Sequence, residues 1–547
     1  MSESENDGSV RSDATRLSLQ GSHIDSGSHQ KFVVEHMSFH SLSFPNGTTM
    51  TLLRRPFLGR PAATAQCLYR RPTSSRIPYR NYTRPAFAPK PTIDIKHIRQ
   101  NPGLYEQNCM DRNYAAHSKS SWRIIELHEQ WLALQQNARS LRVRNNQLRE
   151  MLSKSASRMK QSDGAKEVPV KGGIIEEAKA LKTQLSAIEA QETQLQDEIE
   201  SLAQDLPNLS SIHTPLGTEA EVVGYINKDT ELPSAETSHV DIGQELGILD
   251  FSGSAQTSGW GFYFLIGDGA MLEQALIQYA LSVARSKGWR PVAPPSLIYS
   301  HIASACGFQP RDQNGEQQIY AIEQSDKDKA KPQLALAGTA EIPLAGMKAN
   351  QTMEETELPL KTVGVSRCYR AEAGSRGADT KGLYRVHEFT KVEMFAWTAP
   401  DNVSGDHFTA ANTSSSDTIF DEMLSIQHEI LTSLGLHCRI LEMPTTDLGA
   451  SATRKRDIEA FFPSRKEGWG EVTSASVCTD YQTRRLHTRV KINGKPEFPH
   501  TVNGTALAVP RVLAAILETH WDAGERCVRV PEVLRSYMGG QDRIVRS

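Results

Sequence analysis

Apolar residues recur at intervals of three and four positions in two long stretches of the chain. The first stretch runs from Leu127 to Leu152, and the second runs from Leu181 to Leu206. This spacing is typical of coiled-coil helices, so it predicts two long helices. A polar tract at residues 155–173 separates them. We therefore expect the two helices to fold back on each other as an antiparallel hairpin.

The two predicted helices differ in charge. The second is rich in Glu, whereas the first is basic. The cations of the first helix are Arg139, Arg142, Arg144, Arg149, Lys154 and Arg158. Two interpretations stay open: the cations pair with acids of the partner helix, or they bind the phosphates of a nucleic acid.

A second pattern, alternation at every other position, occupies residues 363–397. Side chains of a strand alternate between its faces, so Arg370 and Glu372 share one face of a first strand. In the second strand one face carries Arg385, His387, Phe389, Lys391 and Glu393, and the opposite face carries Val386, Val392 and Met394. The pattern predicts an antiparallel hairpin around a loop with Gly374, Gly377 and Gly382. A solvated outer face with cross-strand ion pairs is the simple alternative to a binding site.

Two further segments mix helix and strand signals. Helical spacing from about Leu272 to Ser286 is followed by Gly288, a short strand and Pro295. An ordinary core helix followed by a turn would give the same pattern.

Near the C-terminus, residues 500–520 predict a strand, a turn at Asn503 and Gly504, and a helix with Pro510 near its start. Arg511 would then lie at a helix N-terminus, where a cation opposes the helix dipole unless an anion lies beside it. Either a bound phosphate supplies that anion, or the side chain turns out to solvent.

These segments resemble the class II aminoacyl-tRNA synthetases in their seryl-tRNA synthetase form. YRAEAG and GLYRVHEFTKVE resemble motif 2, which binds ATP in that family. MLEQALIQYALSVARSKGWRPVAPPSLI resembles motif 1, the dimer interface, and HTVNGTALAVPRVLAAILETH resembles motif 3. The resemblance covers roughly residues 93 to 540.

The resemblance implies an α+β fold in which helices flank an antiparallel sheet that carries the three motifs. An N-terminal α-helical coiled-coil hairpin arm would precede this domain. We expect a disordered region with a transit peptide at residues 1–92, the helical tRNA-binding arm at 93–213, and the catalytic domain at 214–547.

For ATP, the resemblance assigns Arg370 to the α-phosphate, Arg385 to the γ-phosphate, and Phe389 to stacking on adenine. The full implied set is Arg370, Ala371, Glu372, Arg385, Val386, Phe389, Glu471, Val472, Thr473, Ser474 and Arg511. Arg370 and Arg511 are the implied catalytic residues, because fixed guanidinium groups stabilise charge that develops on a phosphate.

For serine, the resemblance implies the set Thr339, Ala340, Glu341, Glu393 and Thr505. Other roles stay open from the residues themselves: Thr339 and Thr505 as helix N-caps, and Glu341 as a first-turn carboxylate. A site that hydrogen-bonds the substrate hydroxyl should reject alanine without editing.

Magnesium is the implied metal, with Glu471 and Ser474 as its ligands, because Mg²⁺ prefers a few hard oxygen ligands plus phosphates. The two residues are three positions apart, so a regular strand would place them on opposite faces. We therefore expect a bulge or a turn between them. Val477 departs from the family, which more often has Asn there.

The implied reaction joins serine and ATP to seryl-adenylate and pyrophosphate, and then transfers serine to the 3′ end of tRNA(Ser), held by the arm of a homodimer. Two other function classes are considered. A catalytically inactive, RNA-binding paralogue would be expected to lack Arg370, Glu393 or Arg511, and a carrier-protein ligase would be expected to lack the basic arm. All of these features are present.

Composition limits the remaining possibilities. The 547 residues have a net charge of -3, which argues against general affinity for nucleic acid and leaves local basic patches. Seven cysteines without a CxxC pair indicate a reducing compartment and no zinc site. The sequence has no apolar run of membrane-spanning length, so we expect no membrane partner.

The N-terminal region has a different composition. Residues 1–49 are rich in Ser, Gly and His and predict disorder, whereas the Arg-rich segment from Met50 has no acidic residue before Asp94. This composition predicts a mitochondrial transit peptide, with a mature protein that begins between about Arg71 and Pro91 in the matrix. A cytoplasmic protein with a basic tail that touches RNA is the alternative. Residues 398–417 resemble an inserted mobile loop.

Overall fold

The computed structural model describes residues 85, 87–159, 170–230, 237–308, 318–328, 330–372, 382–401, 415–465 and 468–546, without the side chains of 155–159, 170 and 171. The predicted disordered segment, nearly all of the predicted transit peptide, and residues 402–414 of the predicted insertion lie outside this range. So do Gly374 and Gly377 of the predicted loop.

The N-terminal part of the described chain is a helical arm. Its elements are α1 (Ile95–Gln100), α2 (Pro102–Asp111), a 3-10 helix (Ala115–His117), α3 (Ser120–Met159) and α4 (Val170–Gln204). Ion pairs Arg123–Glu198 and Arg144–Glu177 join α3 to α4 in antiparallel order, which confirms the predicted hairpin. Both helices extend into the polar tract that was expected to separate them.

An eight-stranded sheet forms the centre of the following α+β domain, with the order β1-β10-β11-β12-β15-β9-β8-β4. Its strands are β1 (Glu221–Ile226), β4 (Arg290–Val292), β8 (Leu360–Tyr369), β9 (Glu388–Thr398), β10 (Cys438–Glu442), β11 (Arg454–Phe461), β12 (Trp469–Thr479) and β15 (His500–Ala508). Neighbouring strands are antiparallel except β4 and β8. The predicted fold class is therefore confirmed.

Three amphipathic helices cover one face of this sheet: α7 (Asp268–Ser286), α10 (Ser415–Ser433) and α12 (Val509–Thr519). Val392 and Met394 of β9 point into the core that they form and are fully buried, as the alternation predicts. The motif 1 prediction is confirmed in its elements, since α7 ends at Ser286, Gly288 has φ +83°, and β4 follows.

Short elements complete the domain. The helices are α5 (His239–Glu245), α6 (Phe251–Thr257), α8 (Ser300–Ala305), α9 (Glu341–Gly346), α11 (Tyr481–Leu486) and α13 (Glu532–Arg535). The strands are β2 (Leu249–Asp250), β3 (Phe264–Leu265), β5 (Leu297–Tyr299), β6 (Leu334–Leu336), β7 (Thr352–Glu354), β13 (Arg489–Ile492), β14 (Lys495–Glu497), β16 (Trp521–Asp522), β17 (Cys527–Arg529) and β18 (Arg543–Ile544). None of the described helices combines the length and apolarity needed to span a bilayer.

The predicted turn at Asn503 and Gly504 is wrong, because β15 runs through both residues. Gly504 serves close packing instead of a turn. A Cβ at this position would lie 3.1 Å from the sulfur of Met423 on α10 and 3.2 Å from the Cβ of Ala475 on β12. The predicted helix with Pro510 near its start is confirmed as α12.

The chain already contacts the α+β domain before residue 93, where the arm was expected to begin. The Thr92 amide donates to the Arg484 carbonyl at 2.9 Å, and Asn350 Nδ2 donates to the Phe87 carbonyl at 3.2 Å. The Phe87 ring lies 5.6 Å from that of Tyr299. Residues 87–92 are therefore held by the domain.

Candidate active site

A cavity opens between motif 2, β12 and the start of α12. Ten of the eleven residues predicted for ATP line it: Arg370, Glu372, Arg385, Val386, Phe389, Glu471, Val472, Thr473, Ser474 and Arg511. The eleventh, Ala371, lies between two of them and donates its backbone amide to the Gln318 carbonyl at 3.2 Å. Three guanidinium groups therefore surround one cavity.

The motif 2 strands are shorter than the alternation suggests. Because β8 ends at Tyr369 and β9 begins at Glu388, the residues on either side of the loop follow no strand alternation. Val386, which was expected on the face opposite Phe389, packs beside it against Cys368. That part of the face prediction is wrong, and the loop brings Val386 to the cavity wall.

Arg370 lines the cavity and contacts two of its neighbours. Its guanidinium carbon is 5.2 Å from the centre of the Phe389 ring, and its Nε donates to the Gly338 carbonyl at 3.4 Å. Arg385 Nη1 donates to Glu372 Oε2 at 3.2 Å. The two arginines are thus held by an aromatic face, a carbonyl and a carboxylate.

Arg511 lies in the first turn of α12, as the sequence predicts, and an anion does lie beside it. Its Nη1 donates to Glu471 Oε2 at 2.9 Å and to the Glu471 carbonyl at 3.1 Å. Its Nε donates to the Tyr384 carbonyl at 3.2 Å. Although burial acts in the opposite direction, Arg511 and Lys455 hold the pKa of Glu471 below its usual range. The alternative of a solvent-directed Arg511 is therefore wrong.

The predicted irregularity between Glu471 and Ser474 is confirmed as a β-bulge. On β11, Ile458 pairs with Thr473 and Glu459 pairs with Glu471, so that Val472 is an extra residue on β12. The bulge lets side chains three positions apart line the same cavity.

The residues predicted for serine are buried near Arg370. Thr505 Oγ1 donates to Glu393 Oε2 at 3.2 Å, and Lys391 Nζ lies 2.5 Å from the same oxygen. Thr505 belongs to β15, so its alternative role as a helix N-cap is wrong. Thr339 Oγ1 accepts from the Glu341 amide at 3.3 Å, just before α9 begins.

Glu341 lies in the first turn of α9, but other elements bind its carboxylate. Gln482 Nε2 donates to Oε1 at 2.6 Å, and Asn503 Nδ2 donates to Oε2 at 3.2 Å. Burial, reinforced by the nearby Glu393 carboxylate, raises the pKa of Glu341 to about 8. A cation that binds between these two carboxylates would be stabilised by both.

Sequence reasoning missed several residues of this site: Lys391, Asn503 and Gln482 beside the carboxylates, and Tyr384, Lys455 and Asp457 around Glu471. The alternation had already placed Lys391 on the same strand face as Glu393. Gln482 gave no signal, because it reaches Glu341 from 141 positions away in the chain.

The cavity also offers oxygen ligands of the type that Mg²⁺ prefers. The Glu471 carboxylate and the Ser474 hydroxyl line it together. Asp457 pairs with Ser474 across the strands, and its buried Oδ1 has no hydrogen-bond partner among the described residues. Within that same part of the chain, no group of three or more His, Cys, Asp or Glu side chains is arranged to hold a metal ion. These oxygen ligands fit a Mg²⁺ site whose remaining ligands are phosphate oxygens.

Models of two protein domain families match the chain. Residues 92–210 match the seryl-tRNA synthetase N-terminal domain, and residues 320–520 match the tRNA synthetase class II core domain (G, H, P, S and T). The mitochondrial serine–tRNA ligase of Saccharomyces cerevisiae is 36% identical over 463 residues, which cover 83% of this chain and 96% of that protein. The mitochondrial serine–tRNA ligase of Schizosaccharomyces pombe is 37% identical over 479 residues, which cover 87% and 93%.

A solved structure supports the same assignment. The seryl-tRNA synthetase from Pyrococcus horikoshii complexed with ATP has a TM-score of 0.71 and 30% identity, and the match covers 83% of this chain and 100% of that one. Together with the sheet, the arm and the cavity, these matches show that the chain belongs to the seryl-tRNA synthetase family of class II aminoacyl-tRNA synthetases.

Proposed function

We propose that this protein is an ATP-dependent serine–tRNA ligase. The position of Arg370 carries the proposal, because this one guanidinium contacts Phe389 in the cavity and Gly338 next to the predicted serine residues. Serine's carboxylate must attack the α-phosphate where the two substrates meet. A fixed cation at that point stabilises the charge that develops there.

The other arginines extend the phosphate site. Arg385 and Arg511 contact Glu372 and Glu471 in the cavity wall, and both are placed to exchange these carboxylates for phosphate oxygens. Adenine stacks on Phe389, with Glu372 as acceptor for its amino group. Glu471 and Ser474 hold Mg²⁺, which neutralises phosphate charge when it is bound.

The serine subsite is built by Thr339, Ala340, Glu341, Glu393 and Thr505. Two buried carboxylates suit an α-ammonium group, and the hydroxyl of a small side chain finds acceptors among the same oxygens. Alanine leaves these polar groups unpaired, which makes it a poor substrate.

The arm and the N-terminal region define the remaining partners and the location. The helical hairpin binds tRNA(Ser) through its exposed cations, and two copies associate through the motif 1 region around α7. The named relatives from both yeasts are mitochondrial, and the Arg-rich segment is a transit peptide that directs the protein to the matrix.

Amino-acid-dependent ATP–pyrophosphate exchange tests the proposed activity. Purified protein should exchange with serine and not with threonine, alanine or glycine. Exchange with another amino acid would refute the substrate. A folded protein without exchange would support the inactive RNA-binding alternative, which the intact set Arg370, Glu393 and Arg511 argues against.

Serine binding should tighten as the pH is raised toward about 8. The pKa of Glu341 is raised to about 8, so a large fraction of this carboxyl is protonated near neutral pH and carries no charge for the ammonium group. Serine then has to displace a proton. The KM for serine in the exchange reaction, measured at several pH values, should fall over this range.

The Glu341→Gln variant is the control for this pH effect. It removes the ionisable group but retains the size of the side chain. Its KM for serine should therefore be higher, and it should not show the fall that the wild type shows as the pH is raised. An identical pH profile for both proteins would assign the titration to another group.

The mature N-terminus should precede Phe87. The sequence places cleavage between about Arg71 and Pro91, and the bonds of Phe87 and Thr92 to the α+β domain favour retention of this segment. N-terminal sequencing of the protein from a mitochondrial fraction measures the position. An intact Met1 on protein in the cytosolic fraction would support the RNA-binding tail instead.

A further inference from the structure

His239, at the start of α5, is almost buried and lies beside a buried carboxylate. Its Nδ1 is 2.7 Å from Oε1 of Glu518, and its backbone amide donates to the same oxygen at 3.0 Å. Glu518 lies near the end of α12, the helix that begins at the turn of Arg511. Although burial acts in the opposite direction, hydrogen bonds from His239 and Ser464 lower the pKa of Glu518, so it is an acceptor at neutral pH.

The other ring nitrogen of His239 holds the motif 2 loop where it returns to β9. The Leu383 amide donates to Nε2 at 3.1 Å. Gly382 has φ +70°, and a Cβ there would lie 2.2 Å from Nε2, so the loop packs directly on the ring. A backbone amide can only donate, and therefore the contact requires a neutral imidazole with its proton on Nδ1.

The residues that follow Leu383 belong to the ATP cavity. The Tyr384 ring lies 4.2 Å from the guanidinium of Arg465 and 4.7 Å from that of Arg511. Arg385 follows directly and lines the cavity.

Glu518 also holds the turn that carries Arg465. Ser464 Oγ donates to Glu518 Oε1 at 2.9 Å, and the Ser464 amide donates to Oε2 at 3.2 Å. One His–Glu pair therefore ties α5, α12, this turn and the returning loop together.

We propose that His239 is a positioning residue for ATP: its neutral ring fixes the loop through Leu383 so that Tyr384 and Arg385 face the nucleotide. This inference rests on the proposed function, since it concerns the same ATP site. Without an acceptor at Nε2, the Leu383 amide would lose its partner and the loop would be released. Among the described residues, Glu518 of α12 is the ionisable group bonded to the ring, whereas Asp241 of α5 bonds to Ser238.

Two substitutions separate the two ring nitrogens. His239→Gln places an oxygen near the position of Nε2 and retains an acceptor for Leu383. His239→Asn places its amide near the position of Nδ1, which retains a donor to Glu518 but loses the acceptor. We expect His239→Asn to raise the KM for ATP about tenfold in serine-dependent exchange, with the KM for serine unchanged, and His239→Gln to stay near wild type.

Equal KM values for ATP in His239→Asn and wild type, or equal losses in both variants, would each overturn the proposal. If wild type shows no serine-dependent exchange, the proposed function fails instead. Equilibrium ATP binding by the three proteins then decides the role of His239.

Discussion

Arg370→Ala should lower serine-dependent ATP–pyrophosphate exchange by about a hundredfold or more, because it removes the cation that we propose lies where the two substrates meet. The variant should remain folded. Arg370 contacts a carbonyl and an aromatic face, so its removal leaves no buried charge without a partner. Exchange rates and the thermal unfolding midpoint of the same preparation measure the two effects. A folded variant with nearly unchanged exchange would refute the placement of the α-phosphate.

Arg511→Ala is the informative comparison. It should lose exchange to a similar degree, but it also leaves the partly buried Glu471 carboxylate without its main cation. We therefore expect a lower unfolding midpoint for this variant alone, since a partly buried carboxylate loses its ion-pair partner. Arg511→Lys retains the charge and should recover much of the stability but less of the exchange, because lysine does not reproduce the guanidinium fork.

Removal of the outer arm should abolish tRNA charging and spare adenylate formation. The two substrates are proposed to bind different parts of the protein, and a short glycine-rich turn in place of residues 132–194 retains the apolar base around Ile124, Leu127 and Ile199. It also retains the bonds from Arg485 to the carbonyls of Gln204 and Leu206. Aminoacylation of tRNA(Ser) and pyrophosphate exchange, measured together, test this separation. Loss of both activities would show that the outer arm supports the fold.

The described arginines of the first arm helix provide matched substitutions. Arg142 and Arg144 form ion pairs with Glu192 and Glu177 of α4, whereas Arg139 and Arg149 are exposed and pair with no carboxylate of the described residues. Arg139→Ala and Arg149→Ala should weaken charging, and each should reduce the slope of its salt dependence by about one if it removes one phosphate contact. Arg144→Ala should have a smaller effect.

The long elements could be predicted because their signals are local and repeated. The spacing from Leu127 to Leu152 predicts α3, and the alternation around Val392 predicts β9. The irregularity between Glu471 and Ser474 could also be predicted, as a bulge or a turn, once the family resemblance assigned both side chains to one site. The charged residues of the arm were undecided in the sequence, because both helices had to be placed before Arg142 and Arg144 found their partners.

The wrong predictions and the missed residues share a different cause. Asn503 and Gly504 have strong turn propensity, but tertiary packing of α10 against β15 overrides it. The face of Val386 was wrong because alternation applies only within a strand, and nothing local marks where pairing ends. Gln482 and His239 act through contacts that connect distant parts of the chain, so no spacing rule reveals them.

The extra residue at Val472 makes the active site depend on chain length as well as on residue identity. With a regular β12 of the same length, either Glu471 or Ser474 would turn away from the cavity while every residue of the proposed site was still present. Loss of the Val472 codon would instead leave the two side chains two positions apart, a spacing that a regular strand places on one face. In relatives of this protein, the number of residues between these two positions therefore predicts whether the strand at the proposed metal site is regular or bulged.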